Sequence, residues 1–444
     1  MQYFIEANFD CANLHNYIRL SVRNESIIQC MRTILHCDAN NFYASVECML
    51  DSSLKGKAVA VCGDPAKRHG IVLAKNELAK SYGVKTAETI HSAMSKCPNL
   101  VLVPPHFEKY VEISDKIFDI YTQYTDKVEP FGIDECWLDV TGSLKLMGSG
   151  KEIADKIRER VKREIGITVS VGVSFTKVFA KLGSDMKKPD ATTVISKDDF
   201  KQTIWPLPVG ELLMIGKKTQ AKLQSMGVNT IGDLANTDIG VLRAKFGING
   251  DKLRSYAMGE ESSDVREYYN STVHKSVGNS TTMPRDVSDK DECVSVISML
   301  CETIAGRLRK GGYFAQGVSL SLRYNDLTHM SKQAVIPSPT HNSAKLREYA
   351  AALLDKCYNP ERDLPLRGIG VAAFSLTNES AGVQLNMFDN PQADERIERL
   401  DKTIDKIRSK YGFNSIKYAS SIKDAVLCYD LEDGDDDGYI PFKK

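Results

Sequence analysis

The chain has 444 residues, long for a single core, and at about 150 residues per domain it reads as roughly three domains with room for a small fourth. Its 58 basic and 58 acidic residues cancel, so any nucleic-acid footprint is local, and no run of about 18 uncharged apolar residues is present to cross a bilayer. The opening MQYFIEANFDCANLHNY lacks the pattern of a secretory signal, and the 11 cysteines contain no CxxC pair, so a cytoplasmic protein with reduced thiols is expected rather than a zinc ribbon or a disulfide framework.

Residues 1–30 show no clear periodicity and read as an N-terminal extension. A strand is predicted over Thr33–Asp38, followed after a long excursion by a helix near Phe107–Tyr124, with Tyr110, Ile113, Ile117, Tyr121 and Tyr124 at three- and four-residue steps. Strands follow around Lys127–Gly132 and Cys136–Val140. Next come a helix over Lys151–Ile165, with Ile153, Ile157, Val161 and Ile165 four apart, and the alternating strand ITVSVGVS. This is the β-α-β-β-α-β order of ferredoxin-like folds, in which the first strand lies beside the third. The carboxyl end of strand one then meets the hairpin between strands two and three, which brings Asp38 close to Asp134 and Glu135. Neighbouring side chains on a strand face opposite ways, so Asp134 and Glu135 converge only if the hairpin turns there, and Gly132 is compatible with such a turn.

Beyond Pro189, the pieces IGKKTQAKL and MGVNTIGDL are spaced like a helix-hairpin-helix, a turn that presents backbone N–H groups to a DNA phosphate. Gly210 and Gly216 are spaced one residue too far apart for a phosphate-binding loop. Residues 272–377 give a second β-α-β-β-α-β order, with helices near Lys290–Lys310 and Ser343–Cys357. The segment beyond has little room for a core of its own. It carries GVQLNMFDN, whose Gln384, Leu385, Met387 and Phe388 suggest a docking peptide, and the acidic stretch DLEDGDDD over Asp430–Asp437.

Three carboxylates gathered at one sheet edge suit two divalent cations that clamp the attacking and leaving oxygens of a phosphoryl transfer, and Mg2+ fits such hard oxygen ligands. The segments HCDANNFYASVE, GIDE and SVGVSFTKVFAKLGSDMKKP together resemble the Y-family translesion DNA polymerases, the bacterial polymerase IV and UmuC-like group, from about Met31 to the C-terminus. The resemblance implies an α+β multidomain right-hand polymerase. Its parts would be a ferredoxin-like palm (31–41 and 107–194), small fingers (42–106), a helix-hairpin-helix thumb (195–265), a βαββαβ little finger (272–378) and a tail (379–444) with a clamp-binding motif.

Residue by residue, the resemblance implies that Asp38, Asp134 and Glu135, with the Ala39 carbonyl, hold two Mg2+ per active site. Phe42 and Tyr43 would meet the nucleotide, Tyr43 as the steric gate that leaves no room for a 2′-hydroxyl, and Lys80 and Lys188 would bind the triphosphate. Gly216, Lys217, Lys275, Ser276, Arg285 and Arg323 would contact DNA, and Gln384, Leu385, Met387 and Phe388 would bind the sliding clamp. Three positions depart from the family pattern: Ala74 and Glu77 replace a hydroxyl residue and a tyrosine beside the triphosphate, and Met214 stands where a glycine is usual. The implied activity is addition of deoxynucleoside triphosphates to primer-template DNA by a monomeric, membrane-free enzyme, with low fidelity and lesion bypass in the SOS response. Two rival readings are an inert clamp-tethered DNA-binding factor and a nucleotide cyclase, which also uses a ferredoxin-like sheet with paired carboxylates.

Overall fold

The computed structural model describes residues 32–64, 70–268, 274–378, 391–412 and 415–416, without the side chains of 391–395. The N-terminal extension, the docking peptide with Gln384, Leu385, Met387 and Phe388, and the stretch Asp430–Asp437 lie outside the described residues. Contacts divide the chain into two units, Met1–Met49 with Tyr110–Asn270 and Leu50–Lys109 with Ser271–Lys444.

In the first unit the apolar run after Arg32 forms strand β1 (Ile34–Ala39), buried along its whole length, and helix α1 (Phe42–Leu50) follows at once. Helix α2 (Phe107–Thr122), the short strand β2 (Val128–Pro130) and strand β3 (Glu135–Asp139) come next. Helix α3 (Gly150–Glu164), opened by a Ser149–Glu152 capping box, strand β4 (Val169–Ser174), helix α4 (Lys177–Met186) and strand β5 (Thr192–Val194) complete the sheet. The strand order is β2-β3-β1-β4-β5, with β1 antiparallel to both β3 and β4. The first strand therefore lies beside the third, as the element order predicts.

The two faces of this sheet are packed differently. Leu35, Cys37, Cys136, Leu138, Val171 and Val173 point to one side, where Tyr121 of α2 and Ile153 and Ile157 of α3 are likewise buried. Full burial of each large apolar side chain contributes about 1.5–3 kcal/mol. His36, Asp38, Trp137 and Gly172 point to the other side. There α4 comes so near that a Cβ at Gly172 would overlap Ala180 O and lie 2.5 Å from Ser184 N. Only glycine lets the helix backbone approach this closely.

The same unit continues into a helical region built on Phe179, Ile204, Leu212, Leu223, Ile231 and Leu234. Its helices Lys217–Gln224 and Ile231–Asn236 flank the expected hairpin, the second opened by a Thr230–Asp233 capping box. Met214 adopts φ 72°, a left-handed conformation that costs a non-glycine residue roughly 1–2 kcal/mol, which explains why glycine suits this position. The chain then returns to the sheet, where Val265 is buried and the Arg266 N–H donates to Glu129 Oε2 at 3.0 Å.

In the second unit, strands Val59–Cys62, Val72–Lys75 and Val101–Val103 pack with helices Glu77–Ser81 and Ile90–Lys96 around Ala60, Val72, Ala79, Val84 and Ala93. Further along, strands β6 (Ser276–Val287), β7 (Tyr313–Tyr324), β8 (His329–Thr340) and β9 (Leu366–Asn378) alternate with helices α5 (Lys290–Lys310) and α6 (Ser343–Cys357). This sheet is ordered β8-β7-β9-β6, so the second and fourth strands are central here, not the first and third.

Beyond β9, where little core was expected, helix α7 (Pro391–Tyr411) is held by ion pairs. Arg309 reaches Asp401 at 3.0 Å and Asp405 at 2.6 Å, and Arg408 reaches Glu302 at 2.7 Å. The spacing of Ile397, Leu400, Ile404 and Ile407 is helical, and Ile404 is buried. Among the described residues no helix is long and apolar enough to cross a membrane.

Candidate active site

The carboxylates meet because of strand register. Asp38 stands opposite Glu135 and His36 opposite Trp137. The Ala39 N–H donates to Asp134 O at 2.9 Å, which makes Ala39–Asp134 a hydrogen-bonded pair and Asp38–Glu135 the adjacent non-hydrogen-bonded pair. In such a pair the Cα atoms are about 4.5 Å apart and the side chains lie closest. Asp134 precedes β3 in a turn closed by the Phe131 and Gly132 N–H groups donating to Glu135 O at 2.9 and 3.2 Å. That turn frees Asp134 from strand alternation, as the opening of the hairpin at Gly132 suggests.

Helix α4 supplies the balancing charge. Lys181 Nζ lies 3.0 Å from Asp38 Oδ2 and 2.6 Å from Glu135 Oε2, and Lys188 Nζ lies 2.8 Å from Asp38 Oδ2. Asp185 in turn holds both lysines, at 3.4 and 2.8 Å. Sequence reasoning missed Lys181, Asp185 and His36. The available signal was the spacing of Lys181, Asp185 and Lys188 at four- and three-residue steps, which places them on one face of a helix and its exit.

The electrostatics follow from burial and these partners. Asp134 is pushed up to about 7, first by burial and then by the negative charges of Asp38 and Glu135. Burial also acts to raise Glu135, yet its contacts with His36 and Lys181 hold it down to about 2. Burial works to lower Lys181, but Asp38 and Glu135 outweigh it and keep the ammonium well above its ordinary value. Lys188 is raised for the same reason, chiefly by Asp38 against its burial. His36 is lowered by its complete burial.

Among the described residues, ligand atoms of His36, Asp38 and Glu135 lie within 4.8 Å of one another; Asp134 is not one of these three. His36 Nε2 lies 3.3 Å from Glu135 Oε2, the same oxygen that Lys181 Nζ meets at 2.6 Å. Clustered carboxylate oxygens whose charge two lysines now balance fit a bound cation. The residues present therefore suit a divalent metal.

Around this centre Tyr43, half-buried, stacks on Tyr110 with ring centroids 4.3 Å apart, and Tyr110 OH donates to the buried Glu47. Phe42 is buried, 5.8 Å from the Tyr43 ring, so it supports Tyr43 from within. Burial, and after it the charge of Asp134, raises the Tyr43 phenol. Ala39 is buried where β1 ends, and Asn40 locks the following turn through Ser170 Oγ at 2.9 Å and Thr168 Oγ1 at 3.0 Å.

The other expected site residues are placed locally. Lys80 pairs with Glu77 at 3.4 Å on an exposed helix face, so Glu77 carries its own cation. Gly216 is the N-cap of the helix that begins at Lys217. On the sheet face away from α5 and α6, Gly278, Ser280, Ser319, Ser321, Gly370 and Ala372 line a shallow depression. Ser276 and Arg323 belong to the same face by register. Arg285 pairs with Glu292 at 2.9 Å, and Lys275 directly precedes β6.

Residues 37–185 match the impB/mucB/samB family, residues 274–387 its C-terminal domain and residues 197–228 its helix-hairpin-helix motif. The chain is 44% identical to DNA polymerase IV of Acetivibrio thermocellus, over 89% of this chain and 99% of that protein. It is 36% identical to DNA polymerase IV of Clostridium acetobutylicum, over 87% and 97%, and 35% identical to DNA polymerase IV 1 of Bacillus subtilis, over 88% and 94%. A solved Y-family DNA polymerase chimera superposes with a TM-score of 0.69 at 25% identity, covering 78% of this chain and 99% of the chimera. Register-matched carboxylates on a ferredoxin-like sheet, a helix-hairpin-helix and these relatives lead to one assignment: the chain belongs to the impB/mucB/samB family of Y-family DNA polymerases.

Proposed function

We propose that Asp38, Asp134 and Glu135, with the Ala39 carbonyl, hold two Mg2+ and carry template-directed addition of deoxynucleoside triphosphates to a primer 3′-hydroxyl. The observation that supports this most is the Asp38–Glu135 non-hydrogen-bonded pair with Asp134 in the adjoining turn. When bound, the metals activate the hydroxyl and neutralise charge on the departing pyrophosphate. Lys188, 28% exposed against 15% for Lys181, is the cation free to leave Asp38 for a triphosphate, while Lys181 stays with the carboxylates. Lys80 supplies a further phosphate contact. The Tyr43–Tyr110 stack forms the wall that excludes a ribose 2′-hydroxyl, and Phe42 fixes Tyr43 from behind.

In this reading 31–41 and 107–194 form the palm, 42–106 the fingers, 195–265 the thumb and 272–378 the little finger. Gly216, Lys217, Lys275, Ser276, Arg285 and Arg323 grip the DNA backbone, a sequence-independent contact that suits bypass of damaged bases. Gln384, Leu385, Met387 and Phe388 dock to the sliding clamp, which raises the local concentration of an otherwise monomeric cytoplasmic enzyme at the primer end during the SOS response.

Extension of a labelled primer on undamaged and abasic templates, by the native chain and by Asp134→Ala with Glu135→Ala, tests this directly. The native chain extends both templates, and the double variant loses roughly a thousandfold or more of its rate, the scale of several kcal/mol of charge stabilisation. Comparable extension by the variant would remove these carboxylates from the chemistry. A native chain that binds primer-template yet extends nothing would instead identify an inert DNA-binding factor.

A further inference from the structure

Phe131 has no place in the ligand set just described, yet it stands next in line to it. The β2–β3 register runs Val128–Leu138, Glu129–Trp137 and Pro130–Cys136, and the Phe131 N–H donates to Glu135 O at 2.9 Å, so Phe131 lies opposite Glu135 on the next rung. Side chains directly opposite share a face, with Cβ atoms about 4.5–5.5 Å apart. The Phe131 ring marks that face: its centroid is 4.7 Å from that of Trp137, two residues beyond Glu135 on β3. Asp38, Glu135 and Phe131 therefore form one row across β1, β3 and the end of β2. The row is firmly held. Ser114 Oγ of α2 donates to Ile133 O in the turn, and Trp137 donates from Nε1 to Lys177 O at 2.9 Å, with Lys177 Nζ 4.6 Å from the centre of its ring. Even so, Phe131 is 50% exposed where Trp137 is 5% exposed. Capping Trp137 accounts for the covered half of the Phe131 ring and leaves the bare half without an occupant.

We propose that the bare half of the Phe131 ring seats the deoxyribose of the primer's terminal nucleotide and so sets the 3′-hydroxyl against the carboxylate end of the site. The two ends of the row are chemically unlike. At the Asp38 end stand Lys188, 2.8 Å from Asp38, and Tyr43 at the start of α1, a cation and a ring that suit a triphosphate and its sugar. At the Glu135 end the nearby cations are engaged, Lys181 by the carboxylates and Lys177 by Glu129 at 2.7 Å, so Phe131 offers carbon surface and not a phosphate site. The attacking and leaving oxygens approach the same carboxylates from different sides, which leaves the Phe131 end for the primer. An apolar wall there stabilises no charge. It acts by orientation, and a misplacement of about 1 Å costs about a hundredfold in rate. Phe131 is thus a primer-positioning residue, and this inference rests on the reading of Asp38 and Glu135 as the holders of the metals.

The test replaces Phe131 with the photoreactive p-benzoylphenylalanine in the full-length chain, bound to primer-template with one strand or the other labelled. Irradiation cross-links the chain to the terminal nucleotide of the primer; cross-linking of the bound DNA through the template alone, or through neither strand, would overturn the seat. Single-turnover extension at saturating DNA then separates position from stability. Phe131→Ala lowers the maximal rate about ten- to a hundredfold while the nucleotide concentration for half that rate moves less than about threefold, and Phe131→Leu, which keeps an apolar surface, recovers most of the rate. A ring that only caps Trp137 would lower the urea midpoint and leave the maximal rate of the folded chain at its native value, which would also overturn the proposal. If Phe131→Ala extends at the native rate while Asp134→Ala with Glu135→Ala extends nothing, the role of Phe131 falls and the carboxylate reading stands. A native chain that binds primer-template without extending it would overturn that reading, and the primer seat with it.

Discussion

The two β-α-β-β-α-β sheets share an element order and differ in almost everything that bears on chemistry. In the first, β1 lies at the centre between β3 and β4, and the open end of the β1–β3 pair carries Asp38, Glu135 and His36 beneath α4. In the second, β7 and β9 are central, and the face away from the helices bears serines, glycines and Arg323 with no buried charge. Partial cover by one helix is what separates them. It strips water from the carboxylates, which moves Asp134 up, and sets Lys181 against Glu135, which helps hold that one down, whereas the uncovered face keeps its polar groups solvated and suits broad contact with a backbone.

The sharpest way to break this contrast is to remove the balancing charge from the covered sheet. Lys181→Met leaves Glu135 and Asp38 partly unpaired and lowers unfolding stability in chelator by about 3–5 kcal/mol, the scale of a broken buried pair. Saturating Mg2+ recovers much of that loss, and a variant equally stable with and without the metal would deny Lys181 this role. Next in size are two matched glycines. Gly172→Ala drives a Cβ into the backbone of α4 and costs roughly 3 kcal/mol in urea unfolding. Gly370→Ala meets side chains first, Ser321 Oγ at 2.5 Å and Ser280 Cβ at 3.0 Å, with backbone no nearer than Asn279 O at 3.7 Å, and the Ser321 hydroxyl can rotate away, so it costs about 1 kcal/mol. Equal losses would erase the difference between the sheets.

A third measurement concerns pH in the metal-free protein. Asp134 folded titrates near 7 and unfolded near the ordinary value of about 4, so the folded state keeps a proton that the unfolded state gives up. The contribution of this group to stability is therefore greatest below about 4 and falls as pH rises from about 4 to about 7. Asp134→Asn abolishes that slope and is more stable at pH 8 by on the order of 2 kcal/mol; an unchanged slope would place the proton elsewhere. The smallest effect belongs to the open sheet. Arg323→Ala weakens primer-template binding several-fold at most, reduces the salt slope by about 1 and leaves the extension rate at saturating DNA unchanged. A loss confined to that rate would argue against a backbone contact.

What the sequence determined by itself is the set of elements. The four-residue repeat of Ile153, Ile157 and Val161 and the alternation of Val169, Val171 and Val173 identify α3 and β4 because side-chain period follows backbone geometry alone. The ordered motifs around Asp38, Asp134 and Glu135 gave the family by resemblance, and with it the carboxylates proposed to hold metal. Helix α7 was legible in its isoleucine spacing but overlooked, because its attachment rests on the ion pairs of Arg309 and Arg408, which have no period. Tertiary structure alone decided which strands became central, since identical element orders gave two different sheets. It also decided that Lys181, His36 and Ser184 gather at the carboxylates. That meeting depends on how near α4 comes to Gly172, a distance set by packing between segments remote in sequence.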